Sequence, residues 1–280
     1  MPSFDTPEPI SVTARVDAGS LRFTASDRLD TVVEVRPRDP KRDKDVRAAE
    51  QTEVSYASGV LTVRTKLRRL VGPSGAVDVT VDLPTDSRVD MTGSVVQVLG
   101  EGRLGEVRMK TSSGDVRLDT TGPLRLTAAH SSITVDRIEG TAEVTTSFGS
   151  LRLGVVDGPA VLKNSHGNTA VAAATGDLRV SGAHGDIDIE RAESSVTATT
   201  AHGALRVADV ACGTVQLETS YGAIEVGIRE GTAAWLDAAS ERGQVRNSLA
   251  DTAPPAETED TVTVRARTRW GNIDVRRARP

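Results

Sequence analysis

All four histidines of the chain, His130, His166, His184 and His202, stand immediately before a Gly or before the Ser that replaces it. Imidazole is a common ligand for transition metals and changes charge near neutral pH, so these residues are the first candidates for chemistry. Phe148, Tyr221 and Trp270 take the same position in other copies of the phrase. If the copies stack in register, the column from Ser113 onward reads Ser, His, Phe, His, His, His, Tyr, with neighbours about 4.8 Å apart.

Such a column has three readings. Stacked planar side chains at a turn are a structural device in their own right. A metal bridging His166, His184 and His202 is the second reading, although stacked rings direct their nitrogens sideways and Asp186 is the one acid at the same corner. The third is an acid response. Crowded imidazoles would resist joint protonation, which predicts a loss of stability below about pH 6 that His184→Gln weakens.

No other set of residues points to a reaction. Asp115 and Asp186 each follow a recurrent Gly, but four coils would separate them by about 19 Å, too far for a paired acid and base. No GxxxxGK[ST] phosphate loop is present. Cys212 is the single cysteine, so it forms no internal disulfide and reads as a small apolar residue beside a corner. No catalytic residue and no cofactor is expected, and the weak metal candidates are His166, His184 and His202.

The elements that place these residues are repeats. An apolar-x-apolar triplet follows each corner, as in Gly149-Ser150-Leu151-Arg152-Leu153, Gly185-Asp186-Ile187-Asp188-Ile189 and Gly203-Ala204-Leu205-Arg206-Val207. The corner falls at 114, 131, 149, 167, 185, 203 and 222, in steps of 17 to 19. A second corner lies halfway through the unit, at Gly122, Gly140, Gly158, Gly176 and Gly213. A constant step of this size demands a repeat architecture. Half a unit is too short for a crossover helix, so the predicted fold is all-β: a parallel β-solenoid of about 18 residues per coil. Each coil should bury about six small or branched residues, for example Ile133, Val135, Ile138, Ala142, Val144 and Thr146. The corner Gly is preferred for its positive φ but not obligatory, because Ser131 and Ser194 replace it. The outward column Arg117, Arg152, Arg179 and Arg206, interspersed with Thr134, Asp188 and Glu225, mixes signs and reads as a solvated face.

Residues 1–86 are predicted as an irregular amino-terminal β-rich cap. Within it, Ile10 to Phe23 read as a strand pair turning at Asp17-Ala18-Gly19-Ser20, although Ala18 to Phe23 already resembles the repeat. Asp45 to Gln51 reads as a short surface helix, and Ser58-Gly59 as a hairpin turn. Arg64, Lys66, Arg68 and Arg69 form a basic loop without the aromatic residues that would stack nucleic-acid bases. Residues 87–280 are predicted as the coils, with a mobile acid- and Pro-rich loop at 250–260. Thr261 to Val275 would form the final closing coil, with Trp235 and Trp270 as apolar plugs.

The repeats, with the opening phrase Phe4-Asp5-Thr6-Pro7-Glu8-Pro9-Ile10, resemble a family of uncharacterised bacterial β-strand-repeat proteins often labelled "putative adhesin" and common in actinobacteria. The resemblance implies a parallel β-solenoid and brings no catalytic residues. It also implies a surface location. The amino terminus shows no basic n-region with an apolar core, and no run approaches a membrane span, so the chain is expected to be cytoplasmic without membrane insertion. With 34 basic and 39 acidic residues and a net charge of -5, no general pull toward nucleic acid is expected. The function expected is a non-enzymatic scaffold that binds an unknown protein partner or itself. The alternative is an adhesin-like or polysaccharide-binding β-helix, which wants loops walling a groove and exposed aromatic platforms.

Overall fold

A computed structural model describes residues 1–65, 75–249 and 260–278. Most of the expected basic loop and of the expected loop at 250–260 lies outside these residues. The chain is a parallel β-solenoid that divides into two compact units, Met1–Glu139 and Gly140–Pro280.

In the carboxy-terminal unit a coil is two strands and two corners. Strand Ala142–Phe148 alternates inward and outward. Strand Leu151–Asp157 begins in the same way, then places two residues outward before Val156 returns to the core. The pattern recurs in Ile187–Ala192 and Leu205–Val210. Each strand pairs in parallel with its equivalent one repeat later: Ala142↔Ala160, Leu151↔Thr169, Leu178↔Val196 and Ile187↔Leu205. The six residues expected to fill a coil, Ile133 to Thr146, are all buried. Inward columns of Val, Leu, Ile, Ala and Thr leave little width for rings, which accounts for aromatic residues being 2% of the chain.

The corner Gly is more constrained than its positive φ alone requires. At Gly203, with φ 149°, an added Cβ would lie 2.1 Å from the carbonyl oxygen of Gly185 in the coil beneath. Gly222 and Gly271 meet the same obstacle at 1.9 Å. The stacking distance of the coils, together with the positive φ at Gly203 and Gly271, therefore selects Gly at these corners.

The carboxy-terminal stack does not follow chain order. Strand Thr261–Trp270 pairs on one edge with Gly213–Tyr221 and on the other with Ala233–Arg242. Strand Ile273–Arg277 likewise lies between Ile224–Ile228 and Val245–Asn247. The last coil in the sequence is thus the penultimate coil in space, which corrects its expected role as the closing coil. Its inward residues Val262, Val264, Ala266, Ile273 and Val275 are fully buried, as a coil with neighbours on both edges must be. The coil outside it offers Ala234, Leu236, Ala238 and Ser240, all half-buried. Trp235 and Trp270 are 68% and 47% exposed, so they are not apolar plugs: both occupy outward or corner positions.

The amino-terminal unit uses a related device. Strand Ser11–Ser26 is continuous, and Asp17 to Ser20 forms a corner instead of the expected hairpin turn. It pairs in parallel along its length with Arg88–Leu104 and, on its other edge, with Val60–Thr65 and Val77–Pro84. A strand with parallel neighbours on both edges is a coil of the solenoid, so the parallel ladder reaches into residues 1–86. Outside it lie antiparallel strands. Thr52–Ala57 joins Val60–Thr65 through Ser58 and Gly59, at φ 50° and 77°, and Asp30–Pro37 covers Val77–Pro84. The helix Asp43–Glu50 is held where buried Asp45 accepts a hydrogen bond from the Ala76 N–H at 3.0 Å.

Candidate functional site: a stacked side-chain ladder

Strand register places Phe148, His166, His184, His202, Tyr221 and Trp270 in one column at the corner of the carboxy-terminal unit. Their rings stack at centroid distances of 4.6, 4.9, 4.9, 4.8 and 6.3 Å, with interplanar angles of 5 to 13°. Arg242, the equivalent residue of the outermost coil, lies 4.6 Å from the Trp270 ring, a cation over an indole face. All of these side chains are exposed. His130 belongs to the other unit, where it pairs with Ser113.

Two rows of polar groups fix the corner beneath the rings. Three residues before the corner Gly stands an inward Thr or its substitute, which donates to the corner carbonyl of the adjacent coil. Thr219 and Thr268 donate to Gly203 and Gly222 at 3.0 Å, and Ser240 to Gly271 at 2.8 Å. Asn164 Nδ2 bonds Gly149 and Gly167 at 3.0 Å. One residue after the corner, an Asp or Asn accepts a backbone N–H from the next coil: Asn168 from Asp186 at 3.1 Å, Asp186 from Ala204 at 2.8 Å and Asn272 from Gln244 at 3.0 Å. The recurrent corner carboxylates thus join coils. The inward row is written in the sequence as the phrase Thr-x-ring-Gly, in Thr146 to Gly149, Thr200 to Gly203 and Thr219 to Gly222, although from the sequence its Thr suits core filling alone.

The ladder brings His166, His184 and His202 together, but face to face. Their in-plane lone pairs run side by side and do not meet at one point, so the triad has no tetrahedral metal geometry. Among the described residues no group of three or more His, Cys, Asp or Glu is placed to hold a metal ion.

A family model described as Toastrack DUF4097 matches residues 12–276. The chain belongs to this family. No curated protein matches it. Solved structures similar to this Toastrack chain include a "putative adhesin" from Bacteroides fragilis NCTC 9343, at 13% identity over 98% of this chain and 95% of that one, with a TM-score of 0.37. Another "putative adhesin", from Parabacteroides merdae ATCC 43184, is 15% identical over 79% and 92%, with a TM-score of 0.45. A "putative lipid binding protein" from Parabacteroides distasonis ATCC 8503 is 8% identical over 99% and 96%, with a TM-score of 0.39. At these scores the solenoid reading stands on the Toastrack match and on the strand registers.

Other surfaces of the same Toastrack unit are charge-balanced. Arg152, Asp188, Arg206 and Glu225 share an outward column, and Arg206 reaches Asp188 at 3.2 Å and Glu225 at 3.9 Å. Arg179 belongs to the other strand face, between Val161 and Thr197, which corrects its place in the expected Arg column. Arg229 binds Glu193 at 2.7 Å and Asp209 at 2.7 Å. Its hydrogen bond holds the Glu193 carboxyl below the usual range, with burial opposing, and the two carboxylates raise the guanidinium in turn. A shallow groove of about 490 Å³ crosses four coils, lined by Glu143, Pro159, Val161, Asp177, Arg179 and Thr197 among others. Among the described residues no helix is long and apolar enough to cross a membrane.

Proposed function

We propose that this Toastrack chain is a non-enzymatic scaffold whose ladder corner is presented to a protein partner, with self-association as part of its role. The carrying observation is the exposed column from Phe148 to Trp270, held in fixed register by hydrogen bonds on both sides of the corner. A preordered row of ring edges loses little side-chain entropy when covered, and aromatic residues dominate protein-binding surfaces for that reason. The groove at the opposite end of these strands mixes charges, with Glu143, Asp177 and Arg179 in its lining.

The test is affinity capture from the native cell with the wild-type chain and with His166→Ser, His184→Ser, His202→Ser combined. A protein retained by the wild type and lost with the folded triple variant supports the reading, whereas identical captures sink it. The proposed site of action is the cytoplasm, and recovery of the protein in the envelope fraction would contradict that. The adhesin-like, glycan-binding alternative draws on the exposure of Tyr221 and Trp270. Their faces, however, are occupied by His202, by each other and by Arg242, leaving mainly edges where a sugar needs a ring face.

A further inference from the structure

The outermost coil of the carboxy-terminal unit has a partner on one edge only among the described residues: strand Ala233–Arg242 pairs with Thr261–Trp270 and strand Val245–Asn247 with Ile273–Arg277. Along the strands of this unit the inward residues that open a strand give their N–H to the next coil out. Ala160 donates to Asp177 at 2.9 Å, Leu178 to Ser195 at 2.9 Å and Ile273 to Gln244 at 2.9 Å. Ala233, an outward residue, gives its N–H back to Asp260. By the same alternation the N–H groups of Ala234, Leu236, Ala238 and Ser240 point away from the stack, toward the open end.

The core is open there as well. Val245 continues the column of Ile224 and Ile273, both fully buried, yet it is 42% exposed. Strand Ala233–Arg242 carries no Lys, no Pro and no inward charge, since Asp237, Glu241 and Arg242 are all exposed. At the outer coil of the amino-terminal unit, by contrast, antiparallel strands cover the parallel edge.

We propose that the strand Ala233–Arg242 pairs antiparallel with the same strand of a second copy, about a two-fold axis through Ala238, giving an end-to-end dimer. The proposal rests on the self-association part of the scaffold reading and specifies its surface. Register allows it. Residues facing one another across an antiparallel pair point to the same side of the sheet, so inward must meet inward. Centring on Ala238 sets Leu236 against Ser240 and Asp237 against Ala239, with no like charges opposed. Ala238 then exchanges both of its free backbone bonds with itself, the closely bonded type of antiparallel pair.

A second copy fits better than a foreign peptide strand. A peptide would satisfy the edge but leave Val245 and the open core uncovered, whereas a second copy brings an equal open core end to meet them. A two-fold contact is self-closing, so it stops at the dimer. One coil end is small beside the roughly 800 Å² per partner of a standard interface, so the dissociation constant should be weak, on the order of 10 µM.

Sedimentation velocity on the full chain, from low-micromolar to near-millimolar concentration, tests the pairing with two variants. Ala238→Pro removes an outward N–H while leaving the bonds to Thr261–Trp270, and Leu236→Lys sets a charge at the open end. The wild type should pass from monomer to dimer, and both variants should raise the dissociation constant at least about tenfold with unchanged melting. A wild-type monomer at every concentration overturns the pairing, as does a dimer that both folded variants retain. Neither result touches the ladder reading, which stands or falls on its own capture experiment.

Discussion

The corner residues work as a unit, and their separate contributions differ in size. Gly203 lies where a Cβ would fall 2.1 Å from the Gly185 carbonyl oxygen, so Gly203→Ala must displace one coil from the next. The expected loss is about 3 kcal/mol, in the range of backbone strain and misfit, read as a shift in denaturant midpoint; a loss below about 1 kcal/mol would show that the coils are not so tightly stacked. Thr219→Val keeps the volume and removes the donor to Gly203, leaving a less satisfied, half-buried carbonyl at a cost of about 1 kcal/mol. His184→Ala removes one member of an exposed stack and should cost about 1 kcal/mol or less. If the order of these three were reversed, the rings rather than the backbone would be fixing the corner. The sequence displayed this corner well, because a residue type demanded by close packing recurs at every coil. The hydrogen bonds of Thr and Asp between coils were less legible: both residues also suit a core or a turn, and only the register of adjacent coils says which carbonyl or N–H they meet.

At the scale of the element, alternation of period two fixes which residues of a strand face inward, as in Ile187, Ile189 and Ala192. It does not fix which strand lies next to which. Ser11–Ser26 was legible as apolar alternation broken by Gly19, and a hairpin and a coil corner satisfy that pattern equally. The parallel partners on both edges decide for the coil. Charges between coils follow the same logic, since Arg229 meets Glu193 and Asp209 from two earlier repeats. The Glu193 carboxyl is held below its ordinary value of 4.5 mainly by the Arg229 hydrogen bond. Its contribution to stability is therefore full above that value and is lost as pH falls below it. Both side chains are about a third exposed, so the effect should be under about 1 kcal/mol. Thermal melts should show Glu193→Gln less stable than the wild type at pH 7, with the two converging in stronger acid. A difference that persists unchanged well below pH 4 would assign the effect to packing.

For the molecule as a whole, the order of coils in space is what the repeat pattern could not carry. A solenoid read from sequence grows in chain order, which puts Thr261 to Val275 at its end. Burial explains the exchange of places. Val262, Val264, Ala266, Ile273 and Val275 form an apolar inner row, interrupted only at the corner by Thr268, that gains most from neighbours on both edges. The coil of Ala233 to Asn247, with Ala, Ser and Asn at inward positions and only Leu236 and Val245 as large apolar residues, gives up less at an open end. Local opening should follow spatial order, because a coil frays from the exposed end inward. In hydrogen exchange on dilute protein, amides of Ala233 to Asn247 should exchange first, and those of Thr261 to Arg277 should approach the protection of Gly213 to Ile228. If the segment Thr261 to Arg277 exchanged as fast as the coil outside it, the inserted arrangement would be wrong. At concentrations where the proposed dimer forms, Ala234, Leu236, Ala238 and Ser240 should become protected while the exposed ladder rings stay accessible. Protection confined to those alternate amides would separate pairing at the edge from a general stiffening of the coil.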